Sequence, residues 1–465
     1  GYRLYINTKK DTTLSIYDLY YNINNNDLNI QKLGVISSFE LDLYRTIFGF
    51  EDKVINVNFE DNSNKEDEIF LYNNIDSNIK LYIENNPGTS KNKYTGIFKD
   101  KNLVFVVAES FSTIGVREDL TPTLYKLTNN GFVFNNYYVP YFLSTIGGEF
   151  QADTALYPSI NSLSIWRSGN NSFPYGLGNS FNNINYNTYA YHNHSGYFQD
   201  RYKYLKAIGF NNFKACAMGL DINCDVWPES DIEMIEKTYT DYIDSDKPFM
   251  AYYMTVSGHM EYNFFGNNIA SKNKSLVDNL NLSTSASAYL ATQIELDRAL
   301  ELLINRLEEA NKLDDTVIIL TADHYPYALS LEEMNELSTF KRDNLFEINH
   351  NSLIIWNNKL NRVEIDKVGM SIDALPTVYN LFGIEYDSRL FAGTDLLSNS
   401  EGLVILSNRS WITDKGKYNS ITNEYIGIGD VDYVNNINKT IQNKISFSRS
   451  MITNNGYKYI KIKEK

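Results

Sequence analysis

Two apolar runs, each long enough for a buried strand and each ending abruptly on a carboxylate, constrain this chain more than any other feature. Asn102-Leu103-Val104-Phe105-Val106-Val107-Ala108 stops at Glu109-Ser110, and Thr316-Val317-Ile318-Ile319-Leu320 continues through Thr321-Ala322 to Asp323-His324. Unbroken apolar runs of this length read as strands buried on both faces, which is the habit of a parallel sheet covered by helices. In such sheets ligands bind at the carboxyl ends of the strands. Two strand ends therefore offer Glu, Asp and His to one rim.

The same pattern recurs along the chain. Residues 188–191 read as a strand ending at His192-Asn193-His194, and residues 248–255 as one ending at Ser257-Gly258-His259. Residues 230–243 and 283–311 carry helical spacing between these strands, with Leu296, Leu300, Leu303 and Leu307 on one stripe that belongs to the core. Pro122 marks the first turn of a helix that Gly131 ends, and Asp373-Ala374-Leu375-Pro376-Thr377-Val378 opens another that stops at Gly383. Alternating strands and helices predict an α/β domain over residues 97–400, with a mostly parallel central sheet and helices on both faces. From Gly402 onward, residues 403–406, a Lys415-Gly416 turn and residues 457–462 predict a small antiparallel sheet in a C-terminal subdomain, 401–465. Residues 1–96 carry no catalytic signature. Helical spacing over 39–48 makes them a helical lead-in, and the acidic and Lys-containing stretch 61–68 reads as a solvated loop or helix face.

Composition narrows the partners. At 465 residues with 43% hydrophobic content, the chain can bury a large core. Its net charge of -15 argues against nucleic acid or an anionic membrane surface as the main partner, yet it is compatible with one phosphate held by a metal ion and a few local cations. No run approaches the ~18–20 apolar residues needed to span a bilayer, and a start at Gly1 inside apparent structure reads as a soluble part of something longer. Cys216 and Cys224 are the two cysteines, and their spacing leaves both a local disulfide and two free thiols open.

Four of the five histidines, His192, His194, His259 and His324, follow strand-like runs. Glu109, Asp323 and His324 combine hard oxygen donors with one imidazole, a set that suits Mn²⁺ or Mg²⁺ and also accommodates Zn²⁺. In Ser144-Thr145-Ile146-Gly147-Gly148-Glu149 the small residues predict a tight turn entering a helix, with Thr145 at its N-terminus. The structural alternative is that Ser144 or Thr145 simply caps that helix. A Thr hydroxyl beside a divalent cation becomes a competent nucleophile near neutral pH, and the same cation neutralises a phosphate undergoing in-line displacement. His259 is suited to protonate the leaving oxygen and later deprotonate an acceptor, and Arg201 to hold a phosphate oxygen through its planar fork.

Together, Glu109-Ser110, Thr121-Pro122-Thr123-Leu124, Asp323-His324 and Asp373-Ala374-Leu375-Pro376-Thr377 resemble the sulfatase branch of the alkaline phosphatase superfamily. More narrowly, Thr145 with Glu149, the stretch from His192 to Arg201, His259, and Asp297 upstream of Asp323-His324 resemble the extracellular domain of lipoteichoic acid synthases and related phosphoglycerol transferases. The resemblance implies one Mn²⁺ held by Glu109, Thr145, Asp323 and His324, with Thr145 as nucleophile and His192, Arg201 and His259 as substrate contacts. It further implies a phosphatidylglycerol-like donor, a glycolipid-linked polymer acceptor, and membrane anchoring on the outer face of a Gram-positive cell. Two positions depart from the family: Leu143-Ser144 stands where Gly-Lys often precedes the nucleophile, and Gln199 where a Trp usually precedes the Arg. Both touch the head group more than the reaction class. The Cys- or Ser-x-Pro-x-Arg context of formylglycine sulfatases is absent around Thr145, which argues against sulfate ester hydrolysis. The alternatives are transfer of phosphoethanolamine or a sugar-linked polyol phosphate by the same residues, or a module that binds an envelope polymer without turnover.

Overall fold

The computed structural model describes residues 13–55, 69–158 and 162–462; the stretch 61–68 lies outside the described residues. At the centre is an eight-stranded sheet of β1 (Asn102–Ala108), β2 (Phe132–Phe134), β3 (Asn187–Ser195), β4 (Asn212–Cys216), β5 (Phe249–Met254), β6 (Thr316–Ala322), β7 (Ile354–Trp356) and β8 (Val363–Ile365). Their spatial order is β8-β2-β7-β6-β1-β5-β3-β4. The five strands from β6 to β4 run parallel, whereas β7 is antiparallel to both its neighbours. Every residue of β1, β5 and β6 is buried, as their continuous apolar sequences require. The register of β1 against β6 sets Ala108 opposite Ala322. Glu109 and Asp323 therefore leave the sheet side by side.

The helices used below are α1 (Asn26–Phe48), α2 (Ser77–Asn85), α3 (Pro122–Asn129), α4 (Ser144–Thr154), α5 (Arg201–Ile208), α6 (Asp231–Thr238), α7 (Thr284–Glu309), α8 (Ala374–Phe382) and α9 (Val431–Thr453). Ser283 caps α7 through Ala286 N, and the helix buries Leu296, Leu300, Leu303 and Leu307. Asp297 on α7 accepts from Leu124 N at 2.7 Å, so it serves as the missing side-chain cap of α3. No helix among the described residues is long and apolar enough to cross a membrane.

The small antiparallel C-terminal sheet is present as four strands, Leu403–Ile405, Trp411–Thr413, Gly416–Asn419 and Glu424–Gly427. Two details differ from expectation. The chain beyond it forms α9, and the expected strand over 457–462 shortens to Ile460–Ile462, which pairs antiparallel with Ile69–Leu71 in a separate sheet. A polar, Asn-rich surface hides the apolar side of α9, where Ile441, Ile445 and Ile452 pack inward. Tyr82 of α2 stacks on Phe447 of α9 with ring centroids 4.0 Å apart, and Arg449 pairs with Asp52, so the lead-in and α9 pack on each other.

Candidate active site

Glu109, Asp323 and His324 meet where β1 and β6 end, all buried, with one potential ligand atom from each within 4.8 Å of the others. Asp323 Oδ1 accepts from the backbone N–H groups of Ser110 and His324, both at 2.8 Å. Its second oxygen, Oδ2, is buried and has no hydrogen-bond partner among the described residues. The imidazole of His324 has Nδ1 2.9 Å from the carbonyl of Tyr325, which places the proton on Nδ1 and leaves Nε2 with a lone pair. That lone pair lies 3.2 Å from Asp323 Oδ2 and 3.5 Å from Glu109 Oε1. Two carboxylate oxygens and an imidazole lone pair turned on one another are unfavourable unless a proton or a cation fills the space. The residues fit a divalent metal ion.

Burial, then the charge of Glu109, pushes the Asp323 carboxyl well above the usual carboxylate range. Burial also lowers His324. For Glu109 burial opposes ionisation but His324 and His259 outweigh it, and the carboxyl sits below its usual value. Ser110 Oγ donates to Glu109 Oε1 at 2.9 Å, and the Glu109 N–H donates to Thr255 Oγ1 at 3.1 Å.

Thr145 reaches this cluster from the N-terminus of α4. Its hydroxyl donates to Glu109 Oε2 at 3.0 Å and lies 3.5 Å from His324 Nε2. It does not cap the helix: the cap position is Leu143, which makes no side-chain cap bond. Leu143 and Ser144 both adopt left-handed backbone, at φ +52° and +61°, a conformation that costs a non-glycine residue of order 1–3 kcal/mol and recurs at functional sites. Gly148 lets α4 approach the ligand strand, since a Cβ there would sit 1.9 Å from Asp323 O. Gly258 does the same on the other side, with Glu109 O 2.2 Å from its would-be Cβ.

Arg201 opens α5 behind a second left-handed pair, Gln199 and Asp200, at φ +57° and +53°. Its Nε donates to Glu149 Oε2 at 3.0 Å and its Nη1 to His192 Nε2 at 3.0 Å. Burial and then the Arg201 cation hold His192 neutral, with its pKa well below the usual value. His192 Nδ1 faces the carbonyl of Met254 at 2.9 Å, so both ring nitrogens are engaged and the residue orients Arg201. β3 continues to Ser195, which places His192 and His194 within the strand rather than after it. His259 Nδ1 is 2.7 Å from Met260 O, and Trp227 packs edge-on against the ring with centroids 4.7 Å apart. Glu149 and Ser110 were not identified as site residues from sequence. Glu149, fully buried, also accepts from Tyr252 at 3.0 Å; its place four residues after Thr145 in the Ser144-Thr145-Ile146-Gly147-Gly148-Glu149 motif was the available signal. Cys216 and Cys224 form a disulfide, which closes the loop ahead of Trp227.

A family model described as sulfatase matches residues 101–384. The chain belongs to the sulfatase family. Among curated relatives of this sulfatase-family chain, a lipoteichoic acid synthase of Staphylococcus saprophyticus is 25% identical over 354 residues, covering 71% of the chain and 53% of the relative. The chain spans a little over half the length of the curated relatives it matches. Among solved structures, the lipoteichoic acid synthase LtaP of Listeria monocytogenes has a TM-score of 0.67 at 22% identity, covering 81% of this chain and 98% of that one. The Streptococcus pyogenes phosphoglycerol transferase GacH in complex with sn-glycerol-1-phosphate has a TM-score of 0.51 at 15% identity, covering 85% of this chain and 100% of that one. At these identities the two structures establish a shared fold.

Proposed function

We propose that the chain transfers a phosphoglycerol head group from a phosphatidylglycerol-like lipid to a glycolipid-linked polymer, through a covalent intermediate on Thr145. The observation that carries this reading is the Thr145 hydroxyl held 3.0 Å from Glu109 at the mouth of the Glu109, Asp323 and His324 cluster. The names of the relatives point to the same chemistry. Glu109, Thr145, Asp323 and His324 would hold one divalent cation, Mn²⁺ by the donor set, with Mg²⁺ or Zn²⁺ as alternatives. Such an ion supplies charge neutralisation for the phosphate and lowers the pKa of a neighbouring hydroxyl.

Thr145 gives its hydroxyl proton to Glu109 Oε2, 3.0 Å away, and its Oγ1 forms a bond to phosphorus as the bond from phosphorus to the lipid oxygen breaks, while protonated His259 delivers a proton from Nε2 to that leaving oxygen. In the second half an acceptor hydroxyl gives its proton to His259 as its oxygen displaces Thr145 Oγ1 from phosphorus, and Thr145 recovers its proton from Glu109. Arg201, held by Glu149 and His192, presents a fixed guanidinium to the phosphate oxygens. In this reading the chain works, membrane-anchored, at the outer face of a Gram-positive cell.

The test is mass spectrometry after incubation with Mn²⁺ and phosphatidylglycerol. A glycerol-phosphate increment on the Thr145 peptide, missing in Thr145→Ala, is expected. An ethanolamine-phosphate or sugar-linked increment with the matching lipid would reassign the head group, and an unmodified peptide with every donor would favour the polymer-binding alternative.

A further inference from the structure

A cavity of about 370 Å³ is lined by none of Glu109, Thr145, Asp323 and His324. Tyr157, which lines it, follows α4 by three residues and packs its ring 5.7 Å from that of Phe142, on the approach to Thr145. Of its lining, Tyr157 and Asp373 come from the part that matches the sulfatase family. The rest comes from the flanks: the end of α2 and the loop after it, residues 392–403, Lys415 and α9. The cavity is thus a product of segments added around the catalytic scaffold.

Its chemistry selects a ligand class. Two cations, Lys415 and Lys444, are balanced by two carboxylates, Asp373 and Glu401, so neither an anion nor a cation is favoured as a whole. Both carboxylates are committed. Asp373 accepts from Met370 N at 3.0 Å and Thr394 N at 2.8 Å, and Glu401 accepts from the Tyr433 hydroxyl at 2.7 Å with Lys415 at 3.7 Å. Lys444 donates to the carbonyl of Ala392, which leaves further N–H donors on its ammonium. The Tyr82 and Tyr157 hydroxyls are turned away onto Phe391 O and Met370 Sδ, and their rings are buried against Phe447 and Phe142, so these residues give the cavity an apolar floor rather than polar groups. An apolar floor with spare donors beside it, no net charge and a volume at the small end of ligand pockets, about 300–1,000 Å³, suit a neutral molecule rich in oxygen that also has apolar C–H faces.

We propose that this cavity binds a neutral saccharide of one or two pyranose rings. The assignment stands on the cavity; identifying that sugar with the glycosyl part of the acceptor rests on the transfer reading above.

The test is isothermal calorimetry of the full chain with methyl glucoside, methyl galactoside, methyl N-acetylglucosaminide, maltose and cellobiose, with glycerol as control. At least one sugar should bind where glycerol does not. Leu403→Trp, which fills the cavity from a partly exposed wall, and Lys444→Met should each weaken that binding at least about tenfold. No heat from any sugar at tens of millimolar would overturn the proposal, as would binding that survives both variants. Binding abolished by Arg201→Lys but kept in Leu403→Trp would move the sugar to the catalytic cleft and equally overturn it. A missing Thr145 adduct would sink the transfer reading while leaving this binding in place.

Discussion

Gly148 offers a sharp test of how the nucleophile is placed. In Gly148→Ala the new Cβ would lie 1.9 Å from Asp323 O, 2.5 Å from its carbonyl carbon and 2.6 Å from its Cα. All three are backbone atoms, so no rotamer change relieves the contact. Real Cβ contacts stay beyond 3.0 Å, which requires α4 and the Asp323 strand end to separate by at least about 1 Å. Thr145, one turn away on the same helix, is 3.0 Å from Glu109 and moves with it. Alanine gains about 1 kcal/mol of helix propensity over glycine, and overpacking costs about 1–3 kcal/mol, so the net stability change is at most about 2 kcal/mol. Displacement of a reacting group by 1 Å costs about 100-fold in rate. The expected signature is a small drop in melting temperature by calorimetry beside a collapse in the rate of Thr145 adduct formation. Wild-type adduct kinetics in Gly148→Ala would refute the reasoning.

Ser144→Gly should raise stability by about 1 kcal/mol, because the residue sits at φ +61°; an unchanged or lower denaturant midpoint would show that no strain is held there. Arg201→Lys keeps the charge but cannot serve Glu149 and His192 together, and chemical denaturation should show a loss of about 1.5–3 kcal/mol, with no loss counting against the fork's role. Asp231 ties Asn193 on β3 to Val256 and Ser257 beyond β5, and burial raises its pKa from 3.8 to about 6, with Glu295 adding to the shift. Its protonated form therefore stabilises the fold fully below pH 3.8, and that contribution, about 3 kcal/mol, is lost as pH rises through 6. Asp231→Asn should flatten stability against pH between 4 and 6, and an unaltered profile would contradict the assignment.

The strand ends were legible because burial on both faces leaves no charged residue until the chain reaches the rim, so Ala108-Glu109 and Ala322-Asp323 announce themselves. What local pattern cannot show is direction in space. His192 reads as a ligand-facing histidine, yet its ring is engaged by Met254 O and Arg201, partners 62 and 9 residues away. The left-handed pair before Thr145 is equally invisible, since Leu143 and Ser144 carry no glycine to mark it; the surrounding packing imposes the conformation. Helix α9 shows the opposite failure. Its Ile441, Ile445 and Ile452 recur at helical spacing, but nearby asparagines and short apolar runs mimic strands and turns.

The pairing of Ile69–Leu71 with Ile460–Ile462 joins residues nearly four hundred positions apart. Such a contact is slow to find, because the whole intervening chain must be ordered before its closure entropy is repaid. The central sheet, whose β1 and β6 are also far apart, has to assemble first to bring the ends together. During synthesis the lead-in then waits without its partner strand until the last residues of this stretch emerge, and the two-stranded clasp records the completion of folding rather than its beginning.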